Sequence, residues 1–227
     1  MSSQPLLVAD GVSKSFGATH ALNGASLQVF PGEVLALTGP SGSGKSTLLH
    51  CLSGILAPDS GRVSYEGRDL TTLTDRERSA LRRGAFGFVF QFGQLVPELT
   101  CLENVALPLR LAGVRRTRAE RSAADLLTRL EVGEVAGKRP GQTSGGQGQR
   151  VAVARALITS PRVIFADEPT GALDSRNGEQ VMRLLVAAAK ERSSAVVLVT
   201  HEARIASCAD REVAFRDGAA VFAEAAR

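Results

Sequence analysis

Cysteine is scarce in this 227-residue chain: Cys51, Cys101 and Cys208 lie far apart, odd in number and without a C-x-x-C pair. That pattern argues against a disulfide framework and against a zinc site, and it fits a reducing cytoplasm. Long apolar runs are missing too. No window approaches eighteen consecutive apolar residues, so no segment is expected to span a bilayer. A membrane role would then place the spanning part in another chain. The opening residues, MSSQPLLVADG, lack a charged stretch followed by a long apolar one, so no signal peptide is expected. Internal repeats, low-complexity tracts, long linkers and sustained heptads are also absent.

What remains is ordinary globular composition, 44% hydrophobic and 22% charged, with a formal net charge of +4. The length suits one large domain or two small ones and allows a substantial core. The basic run Arg115-Arg116-Thr117-Arg118 can meet acidic lipid or nucleic acid, but a solvated helix face explains it more simply.

The most informative segment is Gly39-Pro40-Ser41-Gly42-Ser43-Gly44-Lys45-Ser46-Thr47. It fits the phosphate-loop pattern G-x-x-x-x-G-K-[ST]. Apolar Val34-Leu35-Ala36-Leu37 precedes it and Leu48-Leu49-His50-Cys51-Leu52 follows, so it reads as strand, loop, helix. Glycines let successive N–H groups turn inward onto phosphate oxygens. A helix N-terminus adds donors and partial positive charge. Lys45 can reach β- and γ-phosphates, and the Ser46 hydroxyl can ligate Mg²⁺. With that flanking context, a chance lysine in a glycine-rich turn is the poorer explanation.

Short apolar runs predict strands at Leu6–Ala9, Ala25–Val29, Arg62–Tyr65, Phe86–Phe90, Arg162–Ala166 and Ala195–Val199. Val34–Leu37, apolar on both faces, suits a central parallel strand. The alternating aromatics of Phe86–Phe90 suit core packing. Helical spacing appears over Thr74–Leu81, Leu102–Leu111, Arg118–Leu130, Gly145–Leu157 and about Asn177–Arg192. Glu212–Phe215 and Ala220–Phe222, joined by Asp217-Gly218, read as a closing hairpin. Strand–helix–strand order implies a parallel sheet, hence an α/β core with a helical insertion between Phe90 and Arg162.

Four further groups extend the site. Strand Val163–Ala166 ends in Asp167 and Glu168, at the strand edge where α/β sheets bind ligands. Asp167 can hold Mg²⁺, directly or through water, and Glu168 can accept a proton from attacking water. His201 and Gln91 also follow apolar strands: a γ-phosphate contact and a Mg²⁺ or water contact, respectively. Neither is persuasive alone. Finally, Thr143-Ser144-Gly145-Gly146-Gln147 opens a helix with serine at its N-cap, a second anion site. Two phosphate sites in one chain can serve separate ligands, or one ATP shared by two copies meeting head to tail.

Together these residues resemble an ATP-binding cassette (ABC) ATPase, the nucleotide-binding subunit of ABC transporters. The family's motifs occur in order over nearly the whole chain: GPSGSGKST at 39–47, Gln91 after FGFVF, TSGGQ at 143–147, VIFADE at 163–168, GALD at 171–174 and His201. The resemblance implies a single ABC domain over 1–227, with an α/β core (1–91 and 161–227), an N-terminal antiparallel β region and a helical signature subdomain (92–160). It implies a head-to-tail dimer with two ATPs at the interface. There Ser144, Gly145, Gly146 and Gln147 contact the γ-phosphate held by the other copy's phosphate loop, and Asp174 connects the two sites. Phe16, in VSKSFG, matches the aromatic that stacks on adenine; the alternative is an ordinary apolar strand residue.

The phrases FVFQFGQLVPELTCLENVALPLRLAGV and ADEPTGALDS resemble the group of lipoprotein-releasing, macrolide-exporting, antimicrobial-peptide-handling and cell-division ATPases. This implies an integral membrane permease as partner, no nucleic acid, and a peripheral place on the inner face of the plasma membrane. The permease would meet a groove near Gln91 and the helical insertion, with Phe92, Leu95, Val96 and Leu99 as exposed apolar candidates, although packing within the cassette explains them equally well. A regulatory module that signals without transport, a solute importer subunit and a soluble non-transport ABC protein are the alternatives. GTP is disfavoured because no N-K-x-D motif occurs. Three positions depart from the family pattern: Thr143 replaces leucine, Gly148 replaces a helix former, and Phe16 replaces tyrosine. None removes a phosphate ligand, a base or a Mg²⁺ ligand.

Overall fold

The computed structural model describes residues 4–221, which form two compact units. Of the described residues, the first comprises 4–82 and 195–221, the second 83–194.

Ten strands and seven α-helices occur among the described residues. In the first unit, β1 (Leu7–Phe16), β2 (Thr19–Val29), β4 (Ser60–Tyr65) and β5 (Arg68–Asp69) make an antiparallel sheet ordered β2-β1-β4-β5. The same unit holds β3 (Val34–Thr38), β8 (Ala195–Val199), β9 (Arg211–Arg216) and β10 (Ala219–Val221). β3 is central: it runs parallel to β8 through Val34↔Val196 to Leu37↔Val199, and parallel to β9 through Leu35↔Arg211 to Thr38↔Ala214. Val34 to Leu37 are fully buried, which is why that run is apolar on both faces. Helices α1 (Lys45–Leu52), α2 (Asp75–Gly84) and α7 (Ala203–Ala206) complete the set, α2 reaching two residues past the unit boundary. β9 and β10 pair antiparallel, as the hairpin pattern predicts; Phe222 lies outside the described residues.

In the second unit β6 (Phe86–Phe90) and β7 (Val163–Asp167) pair in parallel, with Phe90 opposite Asp167. The aromatics do pack as core: Phe88 stacks on Phe165 and Phe90, and Phe86 meets Phe165 edge-on. Four helices accompany the pair: α3 (Cys101–Leu111), α4 (Arg116–Arg129), α5 (Gly145–Leu157) and α6 (Ser175–Glu191). Capping explains where three of them start. Thr100 accepts from the Glu103 N–H while Glu103 accepts from the Thr100 N–H. Ser144 and Gln147 repeat that reciprocal pattern at α5, and Asp174 caps α6 through the Asn177 N–H. Arg115 to Arg118 are exposed, as expected of a solvated face.

One expectation needs correction. The strands predicted at Leu6–Ala9 and Ala25–Val29 are the apolar ends of much longer strands, because exposed polar positions continue each ladder. Of the four apolar candidates after Gln91, for which exposure and packing were equally open, Phe92 is exposed, at 78%, and Leu95, Val96 and Leu99 are half-buried. Buried Asn104 accounts for that inward turn. Its side-chain amide receives the Val96 N–H and donates to the carbonyls of Val96, Leu99 and Thr100.

Candidate functional site

The phosphate loop is held by backbone on two sides. Asn23 N–H donates to the Gly218 carbonyl at 2.9 Å, and Gly218 N–H donates to the Ser43 carbonyl at 3.0 Å. A side chain would not fit within this clasp. A Cβ on Gly39 would lie 2.1 Å from the Phe215 carbonyl oxygen, and one on Gly44 would lie 2.3 Å from that of Ala21. Both glycines also have positive φ, +131° and +100°, where L-residues are strained. Gly44 is the N-cap of α1, so the first N–H groups of that helix, which have no intrahelical acceptors, open toward the loop.

Lys45 is buried within the loop it serves. Its Nζ donates to the carbonyls of Gly39 (2.9 Å) and Pro40 (2.7 Å) and to Ser43 Oγ (3.2 Å). The ammonium is thus retained over the cradle by neutral acceptors. A phosphate oxygen entering the cradle replaces them with a charge-assisted bond, the stronger kind. Pro40, Ser41 and Gly42 are exposed along the rim, and Ser46 and Thr47 are half-buried in the first turn of α1.

The parallel register puts His201 at the same strand edge. β3 leads into the loop at Gly39, and its neighbour β8 leads into Thr200, whose N–H donates to the Leu37 carbonyl, and then to exposed His201. Phe16 ends β1 and is 53% exposed. Lys14 Nζ sits 5.9 Å from the centroid of the Phe16 ring. Asp59 fixes this end of the strand, accepting from Lys14 Nζ at 2.6 Å and from the Ser15 N–H at 2.7 Å. The Lys14 hydrogen bond, then the Ser15 one, hold the Asp59 carboxyl below its usual range. An exposed, braced aromatic face suits stacking on a base better than it suits core packing.

In the second unit the register Phe90↔Asp167 brings Gln91, Asp167 and Glu168 to one strand edge, all half-buried. Glu168 has φ +47°, an unusual state for a non-glycine residue, with the Gly171 N–H donating to its carbonyl. Such outliers concentrate at functional sites. One Glu168 carboxylate oxygen is buried. Gln91 packs on Gly171: an added Cβ there would lie 2.8 Å from Gln91 Nε2.

Ser144 and Gly145 are exposed at the start of α5, Gly146 is buried and Gln147 half-buried. Ser144 Oγ accepts from the Gln147 N–H, and Gln147 Oε1 accepts from the Ser144 N–H. Asp174 is exposed; the Asn177 backbone and side-chain amides hold its carboxyl below the usual range. A cleft of about 300 Å³ runs between the segment after Gln91 and the start of α5, lined by Phe92, Leu95, Thr143, Gly148 and Leu173 among others. Two of the family departures meet in it. Thr143 donates its hydroxyl to the Pro140 carbonyl at 2.8 Å, and a Cβ on Gly148 would lie 3.4 Å from that hydroxyl.

Three contributors escaped sequence reading: Gly171 against Gln91, and Gln149 and Arg155 on α5. The available signal was one polar and two charged residues, Gln149, Arg150 and Arg155, in the half of a helix that is otherwise apolar, Gln149 through Leu157. Among the described residues no group of His, Cys, Asp or Glu is arranged to hold a metal by itself. At the strand edge of the second unit Gln91 and Asp167 offer an amide and a carboxylate, oxygen donors of the kind a hard cation such as Mg²⁺ takes.

Comparison with known proteins agrees with this geometry. Residues 22–171 match the family model described as ABC transporter. The chain is 45% identical over 220 residues to the lipoprotein-releasing system ATP-binding protein LolD 2 of Caulobacter vibrioides, covering 95% of this chain and 96% of that one. It is 44% identical over 222 residues to the macrolide export ATP-binding/permease protein MacB of Marinobacter nauticus, covering 96% of this chain but 34% of that one. Among solved structures, the dimeric post-hydrolysis state of the ATP-binding cassette MJ0796, bound to ADP and Pi, superposes with a TM-score of 0.89 at 38% identity. That likeness covers 97% of this chain and 99% of that one.

Proposed function

The chain belongs to the ABC transporter family, and from that premise we propose that it is the ATP-binding subunit of a transport complex. It hydrolyses ATP as a head-to-tail dimer and drives a separate membrane permease on whose inner, cytoplasmic face it sits. Two relatives of differing use, one of lipoprotein release matched over nearly its whole length and one of macrolide export matched over 34% of its length, favour outward-directed work on a cargo chosen by the permease. No nucleic-acid role is assigned.

The observation that carries the dimer is the exposure of Ser144, Gly145 and Asp174. A serine-capped helix start open to solvent, on a chain that already owns a phosphate cradle, is explained by a second copy whose ATP it covers. In this reading Gly39 to Thr47 and Lys45 bind the phosphates of one copy, and Ser144 to Gln147 of the other copy close over the γ-phosphate. Phe16 stacks on the base. Residues 92–160 act as the signature subdomain and residues 1–91 and 161–227 as the α/β core.

Ser46, Gln91 and Asp167 are the residues that would hold Mg²⁺, which supplies charge neutralisation at the β- and γ-oxygens. Glu168 orients the attacking water and takes its proton as the oxygen bonds to phosphorus. The bond from the γ-phosphorus to its bridging oxygen then breaks, and ADP leaves with that electron pair. His201 donates a hydrogen bond to the γ-phosphate and keeps it in line, and Asp174 links the two sites. Exposed Phe92 and the cleft beside it are offered to the permease.

Glu168→Gln tests the assignment. It should retain Mg·ATP binding, lose turnover by about 100-fold or more, and accumulate as dimer on size-exclusion chromatography with ATP. Parent-level hydrolysis by this variant would remove the base from Glu168. A strictly monomeric variant at saturating ATP would remove the shared site.

A further inference from the structure

From Gln149 to Leu157, α5 is largely buried and mostly apolar, yet it carries Gln149, which is 4% exposed, and half-buried Arg155. Desolvation lowers the Arg155 pKa below its ordinary value, so a guanidinium here needs strong compensation. It has it. Nη1 donates to the Gln94 carbonyl and Nη2 to the Gly93 carbonyl, each at 2.7 Å. Nearer the start of the same helix, Gln149 Nε2 donates to the Phe90 carbonyl at 2.9 Å. The three accepting carbonyls bracket Gln91. Two of them belong to residues with positive φ, +66° at Gly93 and +47° at Gln94. Glycine adopts such a φ without strain, but Gln94 does not, and a donor from α5 holds its carbonyl there.

We propose that Arg155 and Gln149 are positioning residues. They set Gln91 relative to the strand edge of Asp167 and Glu168, and they make Gln91 move together with the helix whose start is Ser144–Gln147. One side of the segment is then the cleft offered to the permease, and the other is the hydrolytic site. A displacement imposed on Phe92 or Gln94 is passed through the forked guanidinium to α5, rather than absorbed by a slack loop. A lysine cannot reproduce this, because one ammonium does not present two parallel donors in a fixed plane.

The inference rests on the reading of Gln91 as a contact for the metal-bound nucleotide and water, and a double-mutant cycle separates the two. Steady-state hydrolysis is measured for the full chain and for Gln91→Ala, Arg155→Met and the double variant, with nucleotide affinity followed by a fluorescent ATP analogue. Arg155→Met should lower kcat about tenfold with affinity unchanged, the scale of loss when a contributing group drifts by a fraction of an ångström. In the Gln91→Ala background it should lower kcat by less than about twofold. Arg155→Lys should recover only part of the loss. Amide hydrogen exchange over residues 91–96 should rise in Arg155→Met while exchange over 39–47 does not change.

If Gln91→Ala is costly and Arg155→Met costs the same factor with and without Gln91, the positioning role is wrong while the role of Gln91 stands. If Gln91→Ala turns over like the parent, the catalytic reading of Gln91 is wrong and the positioning role goes with it. Should Arg155→Met fail to fold, Gln149→Leu, which removes only the bond to Phe90, carries the same cycle with the same opposing outcomes.

Discussion

Replacing Gly171 by alanine separates the position of Gln91 from the stability of the fold. The added Cβ would stand 2.8 Å from Gln91 Nε2 and 3.3 Å from its Cδ and Cγ. Ordinary contact begins at 3.4 Å, so the amide nitrogen must retreat by about 0.6 Å. It can do so cheaply, because it is the far end of a flexible side chain. Gly171 is exposed and its φ is not positive, so the alanine backbone itself is unstrained. Two small opposing effects then act on stability. Alanine restricts the unfolded chain, a gain of about 0.4–1 kcal/mol. A Gln91 pushed off its rotamer loses about 0.5–1.5 kcal/mol. The net lies within about 1 kcal/mol, or about 2–4 °C in Tm for a chain of this size.

Catalysis responds on a different scale. Misplacement by about 1 Å costs about 100-fold, so roughly half that displacement predicts a kcat roughly tenfold lower. The assay is phosphate release against ATP and Mg²⁺ concentration, with thermal unfolding recorded in parallel. A variant that keeps parental kcat refutes the placement of Gln91 in the site. A variant that loses kcat only together with more than about 10 °C of Tm refutes the claim that the contact is local.

Gly39→Ala should behave in the opposite manner. Its Cβ meets a backbone carbonyl at 2.1 Å in a positive-φ conformation, so about 2–4 kcal/mol of stability and most nucleotide binding should be lost together, read by denaturant unfolding and ATP titration. Gly148→Ala should stabilise the protein by up to about 1 kcal/mol, because the added methyl meets Thr143 at ordinary contact distance inside a helix; a fall in Tm would contradict that packing. Cys51 gives a pH signature. Burial, the largest cause, raises its thiol to about 11, while an unfolded thiol ionises near about 8.5. Between those values the unfolded chain has released a proton that the native chain keeps, so stability falls as pH rises. Relative to Cys51→Ala, the parent should lose about 2 kcal/mol between neutrality and about pH 10.5, and urea midpoints that shift equally in both would refute it.

Much of the architecture was legible because its signals are local. Helix α5 is bounded as predicted, Gly145 to Leu157, since a serine cap and an apolar stripe sit within its own sequence. β8 is bounded as predicted, Ala195 to Val199, because a strand buried on both faces is a bare apolar block. The outer reaches of β1 and β2 gave no such signal. Their partly exposed polar residues belong to the ladder only through partners up to seven residues beyond the apolar run, with register shifts on the way. The short pair Arg68–Asp69 and the one-turn helix Ala203–Ala206 were invisible for the same reason: neither is long enough to show a period. Whether Leu95, Val96 and Leu99 face outward or pack could not be read from the sequence, because Asn104, a polar residue in the following helix, is what turns them inward.

By itself the sequence determined the chemical parts: a glycine-rich cradle with its lysine, two carboxylates ending an apolar strand, and a serine-capped glycine helix. Those depend on residue type and near-neighbour spacing, which a linear reading preserves. Only the tertiary structure decided what holds the parts in place: the Gly218 hairpin against Ser43, Gly171 beneath Gln91, and the Arg155 fork on Gly93 and Gln94. These contacts join residues 61 to 175 positions apart along the chain, most through backbone carbonyls whose acceptor chemistry is the same for every residue type. No letter in the sequence marks such an acceptor, so the pairing exists only once the chain has folded.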